Sequence, residues 1–216
     1  DLKPEKSNAF ELGLRSTHPG LTGSLSLFYT RYRDFIESKV NLGVDPATGT
    51  TLFQSRNLAR AEIYGAEAEG IARLGEWNAA LAPWTVRFAL SYARGNDLER
   101  NRPLNSIDPL KAVVGVRYTA PNGVWDAELL TTAVAAKDRV SDGATSIVRT
   151  DGFVTLDLLA EWRITGRLSA QAGLFNLTDR SYLEWTDVRD RAASDPLLEL
   201  YRRPGRNGSV SFTYRY

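Results

Sequence analysis

Phe153–Ile164 reads FVTLDLLAEWRI. Val154, Leu156, Leu158, Ala160, Trp162 and Ile164 fall on one side of an extended chain, and Thr155, Asp157, Glu161 and Arg163 on the other. Side chains alternate between the two faces of a β-strand, so this is a strand with one apolar and one polar face. The apolar stripe covers about 11 residues, near the length at which a tilted strand crosses a bilayer. The closing GSVSFTYRY (Gly208–Tyr216) repeats the pattern. There Val210, Phe212, Tyr214 and Tyr216 alternate with Ser209, Ser211, Thr213 and Arg215 up to the last residue. Whether protein or lipid lies against such stripes decides the fold.

Period 2 recurs often enough to predict about nine strands, and no long amphipathic helix competes with them. TVRFALSY sets Val86, Phe88, Leu90 and Tyr92 against Arg87, Ala89 and Ser91. KAVVGVRYT sets Ala112, Val114, Val116 and Tyr118 against Lys111, Gly115, Arg117 and Thr119. VWDAELLTTA alternates in the same way, with Leu130 as an exception. Weaker strands are expected at Phe10–Arg15, Leu25–Arg33, Ala61–Ala72, Leu168–Leu174 and the C-terminus.

The connections say more than the strands. HPGLTG, APNG and TG are tight Gly-bearing turns, and GEWNAALAP is a somewhat longer link. Between them stand KVNLGVDPATGTTLFQ, GNDLERNRPLNSID, VSDGATSIVRTDG and the stretch from Thr178 to Arg206, all expected as long polar loops. Short and long connections thus alternate, as in an up-and-down barrel of outer-membrane type. Trp77, Trp84, Trp125 and Trp162 lie at or near the short connections, with Tyr118, Tyr214 and Tyr216 at the same end. An amphipathic ring at the boundary between hydrocarbon and water accounts for such a belt. Alternation alone fits a soluble β-sandwich equally well. The loop asymmetry and the indoles favour an all-β transmembrane antiparallel up-and-down β-barrel, its apolar stripes facing lipid.

Composition narrows the chemistry. The 216 residues carry a net charge of +1, which gives no electrostatic case for nucleic acid. Without cysteine there is no disulfide, thiolate or Cys-built metal site, and the single histidine, His18, leaves no histidine cluster. No phosphate-cradling glycine loop occurs. No run of about 18 apolar residues provides a membrane-spanning helix. The opening DLKPEKSN shows no signal peptide, the expectation for a mature chain or a piece of one.

Several stretches resemble a known family. DLKPEKSNAFELGLR, RAEIYGAEAEG, GLFNLTDRSYLEWTDVR and RRPGRNGSVSFTYRY are similar to the C-terminal part of TonB-dependent outer-membrane receptors. DPLKAVVGVRYTAPNG and NLTDRSYLEWTDVR resemble the haem and haemoglobin receptor branch most. The resemblance implies that residues 1–216 are about nine C-terminal strands of a barrel of about 22 strands. It further implies an N-terminal plug domain, the remaining strands and a TonB-contacting segment, all outside this chain. The implied setting is the outer membrane of a Gram-negative bacterium, crossed many times. The implied function is TonB-energised uptake of haem, or of haem from a haem-carrying protein, with a ferric siderophore as the alternative cargo. Haem would be cargo, with no cofactor bound covalently. DLKPE is similar to the end of a family box just beyond the loop that usually carries a haem-coordinating histidine, which would lie upstream of residue 1.

Residue by residue, the bland readings mostly prevail. With the C-terminus in the periplasm, as the family implies, every short turn is periplasmic, and His18 is a solvated turn residue beside Pro19 and Gly20 rather than a haem ligand. Glu67, Glu69, Arg87, Lys111, Arg117, Asp126, Glu128, Asp157, Glu161 and Arg163 mix both signs on the polar faces. Asp126/Glu128 and Asp157/Glu161 mimic the carboxylate pairs of glycosidases, but a polar barrel lumen needs such residues anyway, so no enzyme is expected. Tyr182 and Trp185, in the longest loop, are the candidates for gripping cargo; packing within their own loop competes with that role. Trp77, Trp84, Trp125, Trp162, Tyr214 and Tyr216 are expected at the membrane interface.

Overall fold

The computed structural model describes residues 2–143 and 145–216. The alternating stretches become β1 (Lys6–His18), β2 (Leu21–Val44), β3 (Thr51–Arg73), β4 (Trp84–Asp97), a two-residue β5 (Arg102–Pro103), β6 (Lys111–Thr119), β7 (Trp125–Val134), β8 (Phe153–Arg163), β9 (Leu168–Phe175) and β10 (Asn207–Tyr214). They build one antiparallel sheet in the order β1-β2-β3-β4-β6-β7-β8-β9-β10, with β5 paired to β4. This is the expected meander of nine main strands. No second sheet covers it among the described residues, so the sandwich reading falls.

Register carries the alternation across the sheet. Trp84 pairs with Tyr118, Trp125 with Trp162, Leu129 with Leu158 and Leu158 with Leu174. Directly opposed residues share a face, so the stripes merge into one apolar surface. Its members are exposed: Phe10 71%, Val210 67% and Phe212 70%. The polar face shows the reverse, with Asp126 5% and Glu128 6% exposed. A protein folded against water buries leucine and exposes aspartate. Here the strands do the opposite.

Three expectations need correction. KVNLGVDPATGTTLFQ is not a long loop: β2 runs to Val44 and β3 restarts at Thr51, leaving only a turn around Pro46–Gly49. Gly49 sits at φ +68°, a left-handed conformation that a side chain would disfavour. The two strands outrun their neighbours, since β1 pairs β2 only up to Arg33 and β4 pairs β3 only from Ala61. The remaining two-stranded ribbon is bulged between Glu37 and Val40 and again between Asn41 and Gly43. Secondly, the terminal strand ends at Tyr214, although the Arg215 N–H still donates to the Arg167 carbonyl at 2.8 Å. Thirdly, the long C-terminal loop holds structure of its own: a four-residue helix α1 (Trp185–Val188) and a 3-10 turn at Leu198–Tyr201.

Apolar burial concentrates at the loop end of the sheet. Leu104, past β5, folds back beside Phe35, Leu58 and Ala61. It fits because Gly95 has no side chain: a Cβ there would stand 3.0 Å from Leu104 Cδ1 and 2.6 Å from Ile107 Cγ1. A second cluster joins Val140, Ile147 and Val148 of the β7–β8 loop to Trp185 and Val188 of α1.

Candidate functional site

The second cluster organises a crown of loops. Trp185, 2% exposed, donates its indole N–H to the Asn105 carbonyl at 2.9 Å, which ties the β9–β10 loop to the segment after β5. Asn105 is a hub: its Nδ2 donates to Asp190 Oδ1 at 2.6 Å and to the Ser141 carbonyl at 3.0 Å, and its Oδ1 accepts from the Ser141 N–H at 2.8 Å. Asn41, on the ribbon, donates to the Asp190 carbonyl at 2.9 Å. Four chain segments therefore meet at Asn105 and Asp190.

Lys137 completes the crown. Its ammonium lies 5.2 Å from the centre of the Trp185 ring and donates to the Ile107 carbonyl. Burial pulls its pKa down to about 8, against the opposing attraction of Asp108. Burial likewise pushes the Asp190 carboxyl above the usual carboxylate range, the Asn105 amide opposing it. Beneath α1 a cavity of about 140 Å³ reaches the polar face at Lys111, Asp108 and Glu184. It falls short of the roughly 300–1,000 Å³ of a pocket that encloses a sizeable ligand.

Of the two aromatics singled out for cargo, the structure buries one. Trp185 is a core residue of the crown, because the short helix turns its indole inward and the N–H has a carbonyl to satisfy. Tyr182 is half-buried and stacked on Phe153, with ring centres 3.9 Å apart. Packing within the loop was the competing expectation for both residues; the helix itself was not readable, since a single turn leaves no period.

The polar face below the crown is an ion-paired wall. Glu128 takes Arg87, while Asp126 takes Arg117 at 2.5 Å and Arg163 at 3.2 Å. Arg163 also meets Glu161 at 3.4 Å. Of the carboxylates that imitated catalytic pairs, Asp126, Glu128 and Glu161 are each neutralised by guanidinium, and Asp157 accepts the Asn176 N–H. Gly115 makes room for one of these pairs: a Cβ there would fall 2.1 Å from Glu128 Oε1 and 3.0 Å from Arg87 Cγ.

The turn end gathers the indoles. Tyr118 lies 5.0 Å from Trp84 and 5.3 Å from Trp125 between ring centres, and Trp162 is 56% exposed beside its partner Trp125. Trp77 stands over the Gly20 turn. Tyr214 packs edge-on against Tyr216. His18, at the end of β1, accepts the Gly20 N–H on Nδ1 at 3.0 Å, on the opposite end of the sheet from the crown. Sequence reading missed a second set of rings toward the loop end. Tyr29 pairs with Phe10 and Tyr64, and Tyr92 with Ala66, all on the apolar face.

An open meander with an apolar outer face, an ion-paired inner face and rings at both margins is a segment of a membrane barrel wall. The family model described as TonB dependent receptor-like, beta-barrel matches residues 1–177. The chain belongs to this family. This TonB-dependent receptor segment is 29% identical, over 98% of its length, to a probable hemoglobin and hemoglobin-haptoglobin-binding protein of Haemophilus influenzae. It is 28% identical, over 88% of its length, to hemoglobin-haptoglobin utilization protein B of Neisseria meningitidis. It covers 24% and 26% of those proteins, so it spans about a quarter of the curated relatives it matches. Among solved structures, the copper transporter OprC superposes on the whole chain with TM-score 0.81 at 25% identity, the chain covering 32% of it. The ferric citrate transporter FecA superposes on 99% of the chain, which covers 32% of it, with TM-score 0.73 at 18% identity, a likeness of fold alone. Membership of the family implies the outer membrane.

Proposed function

We propose that this segment forms wall and outer loops of a receptor that takes up haem, or haem from a haem-carrying protein, with energy supplied through TonB. The observation that carries the reading is that the relatives named for hemoglobin binding match along nearly all of the chain, loops included. In this reading the plug, the TonB-contacting segment and the remaining strands belong to other parts of the receptor. The turn end, with Trp77, Trp84, Trp125, Trp162, Tyr214 and Tyr216 at the membrane interface, faces the periplasm of a Gram-negative cell, and the crown faces outward. The 140 Å³ cavity is too small to enclose haem; in this reading cargo is met on the crown's surface, with Tyr182 as the candidate contact. Trp185 supports the loop from within.

Two measurements test this. Cysteine labelling of intact cells carrying the full-length receptor should reach Gly49, Arg100, Gly143 and Ser194, and should spare Pro19, Asn122 and Gly166; the reverse pattern refutes the orientation. Haem titration of the purified receptor, followed by its absorption band, should show saturable binding that His18→Ala leaves intact. A receptor that supports growth on ferric siderophore and not on haem or haemoglobin would assign the other cargo.

A further inference from the structure

The ladder between β1 and β2 stops at Lys6 and Arg33, yet the chain entering β1 stays bound to the β2–β3 ribbon. One side chain takes the Lys3 main chain by both of its polar groups. The Lys3 N–H donates to Asn57 Oδ1 at 2.8 Å, and the Lys3 carbonyl accepts from Asn57 Nδ2 at 3.0 Å. The same Nδ2 also donates to the Asp34 carbonyl at 2.6 Å. Asp34 sits at φ +53°, a left-handed conformation that aspartate tolerates better than most residues. The register passes from Arg33–Arg60 to Phe35–Leu58 without a rung at Asp34, which leaves that carbonyl for the amide. Two residues on from Lys3, Glu5 Oε2 accepts the Ile36 N–H at 2.9 Å.

An amide offers donors and an acceptor from one planar group. Turned over, Asn57 would set its oxygen against two carbonyls, so these three bonds define its orientation. Aspartate has the same shape and no donor. It would face both carbonyls with oxygen.

A short path leads from this latch to the crown. Leu58, next to Asn57, is 2% exposed and packs in one cluster with Leu104 and with Phe35, the neighbour of Ile36. Side chains alternate along a strand, so Asn57 holds the entering chain on one face of the ribbon while Leu58 meets Leu104 on the other. Leu104 directly precedes Asn105, on which the crown's loops converge. Every step is a hydrogen bond, a packed contact or a covalent neighbour.

We infer that Asn57 is a positioning residue for cargo capture: it makes residues 2–5 a continuation of the crown, so that the chain entering β1 and the crown present one surface to a haem-carrying protein. The inference rests on the proposed function above, in which the crown meets cargo.

The test uses the full-length receptor in detergent, with hydrogen exchange read along the chain and immobilised haemoglobin as the probe for capture. Asn57→Ala should speed exchange at Lys3 and Ile36 roughly tenfold or more and weaken haemoglobin binding by a similar factor. Exchange at Ser141 and the heat-modifiable migration of the barrel should stay as in wild type. Asn57→Asp should do as much damage as Asn57→Ala, whereas a side chain that only fills space would tolerate this isosteric change. Glu5→Ala frees only the Ile36 N–H and should shift the same readouts by less; it also carries the test if the Asn57 variants fail to assemble. Unchanged exchange in Asn57→Ala, or wild-type behaviour of Asn57→Asp, would overturn the latch. Faster exchange with undiminished haemoglobin capture would confine Asn57 to a structural role and overturn the positioning. A wild-type receptor that ignores haemoglobin would refute the cargo reading instead, and exchange would still decide the latch.

Discussion

The Trp185 indole donates to the main-chain carbonyl of Asn105, 80 positions earlier in the chain. One hydrogen bond therefore closes the longest loop onto the segment after β5. Trp185→Phe keeps much of the ring's packing but orphans that carbonyl, which should weaken the crown by about 1–2 kcal/mol. Trp185→Ala should cost about 3–5 kcal/mol. Hydrogen exchange of the loop amides measures both, and a pattern confined to residues 176–206, without Ser141 or Asn105, would deny the coupling. Tyr182→Ala should instead reduce haem capture while leaving exchange in the rest of the crown nearly unchanged.

Leu158 and Asp157 are neighbours in sequence on opposite faces of β8. Leu158→Arg places charge against lipid and should impair assembly by about 2–4 kcal/mol if the site lies near the bilayer midplane. Asp157→Asn should be mild, because the amide oxygen can still accept the Asn176 N–H that Asp157 Oδ1 now accepts at 2.7 Å. Heat-modifiable migration of the folded barrel reports the difference; equal small effects would show that no lipid touches this strand.

The strand core was legible because its chemistry is periodic. Lys111–Thr119 is bounded in the structure as the alternation bounds it, since Val114 and Val116 have no choice of face once Arg117 has one. The ribbon was not legible. Val40–Gln54 contains one charge, Asp45, so neither face announces itself and the glycines and threonines read as loop. Tyr29, Tyr64 and Tyr92 became a ring of aromatics only through register, which links residues that single strands cannot relate. The crown escaped for another reason: Asn105, Asp190 and Lys137 meet through side-chain hydrogen bonds that leave no period at all.

Gly115 is kept small by an ion pair. Gly115→Ala drives a methyl into Glu128 and Arg87, and overpacking of this kind costs about 1–3 kcal/mol. Gly166→Ala, where nothing lies within 4 Å, should stay within about 0.5 kcal/mol. Thermal unfolding of the two variants checks the contrast, and equal melting temperatures would mean that the wall relaxes freely around the pair.

Lys137 gives the crown a pH dependence. Unfolded, the amine keeps its proton up to about 10.5; folded, it releases it near 8. Between those values unfolding takes up a proton, so crown stability should rise as pH increases from about 8 toward 10.5. Limited proteolysis of the loops should slow over that window, and Lys137→Met should abolish the trend. Unchanged pH dependence in the variant would assign it to another group.

Beyond Arg33 and Ala61 the β2–β3 ribbon continues without a ladder partner on either side, its last 11 residues on the β2 side reaching about 35 Å along the chain; side-chain contacts brace it as far as Asn41. With the crown outward, that mast stands proud of the cell envelope and carries Pro46–Gly49 at its tip, beyond the wall's ion pairs. A short epitope inserted at Thr48–Gly49 would be displayed to antibodies on living cells without disturbing a single ladder bond of the barrel wall. The same geometry leaves the ribbon tip bound by few packing constraints, so its sequence should be free to drift while the Gly115 wall beneath it is not.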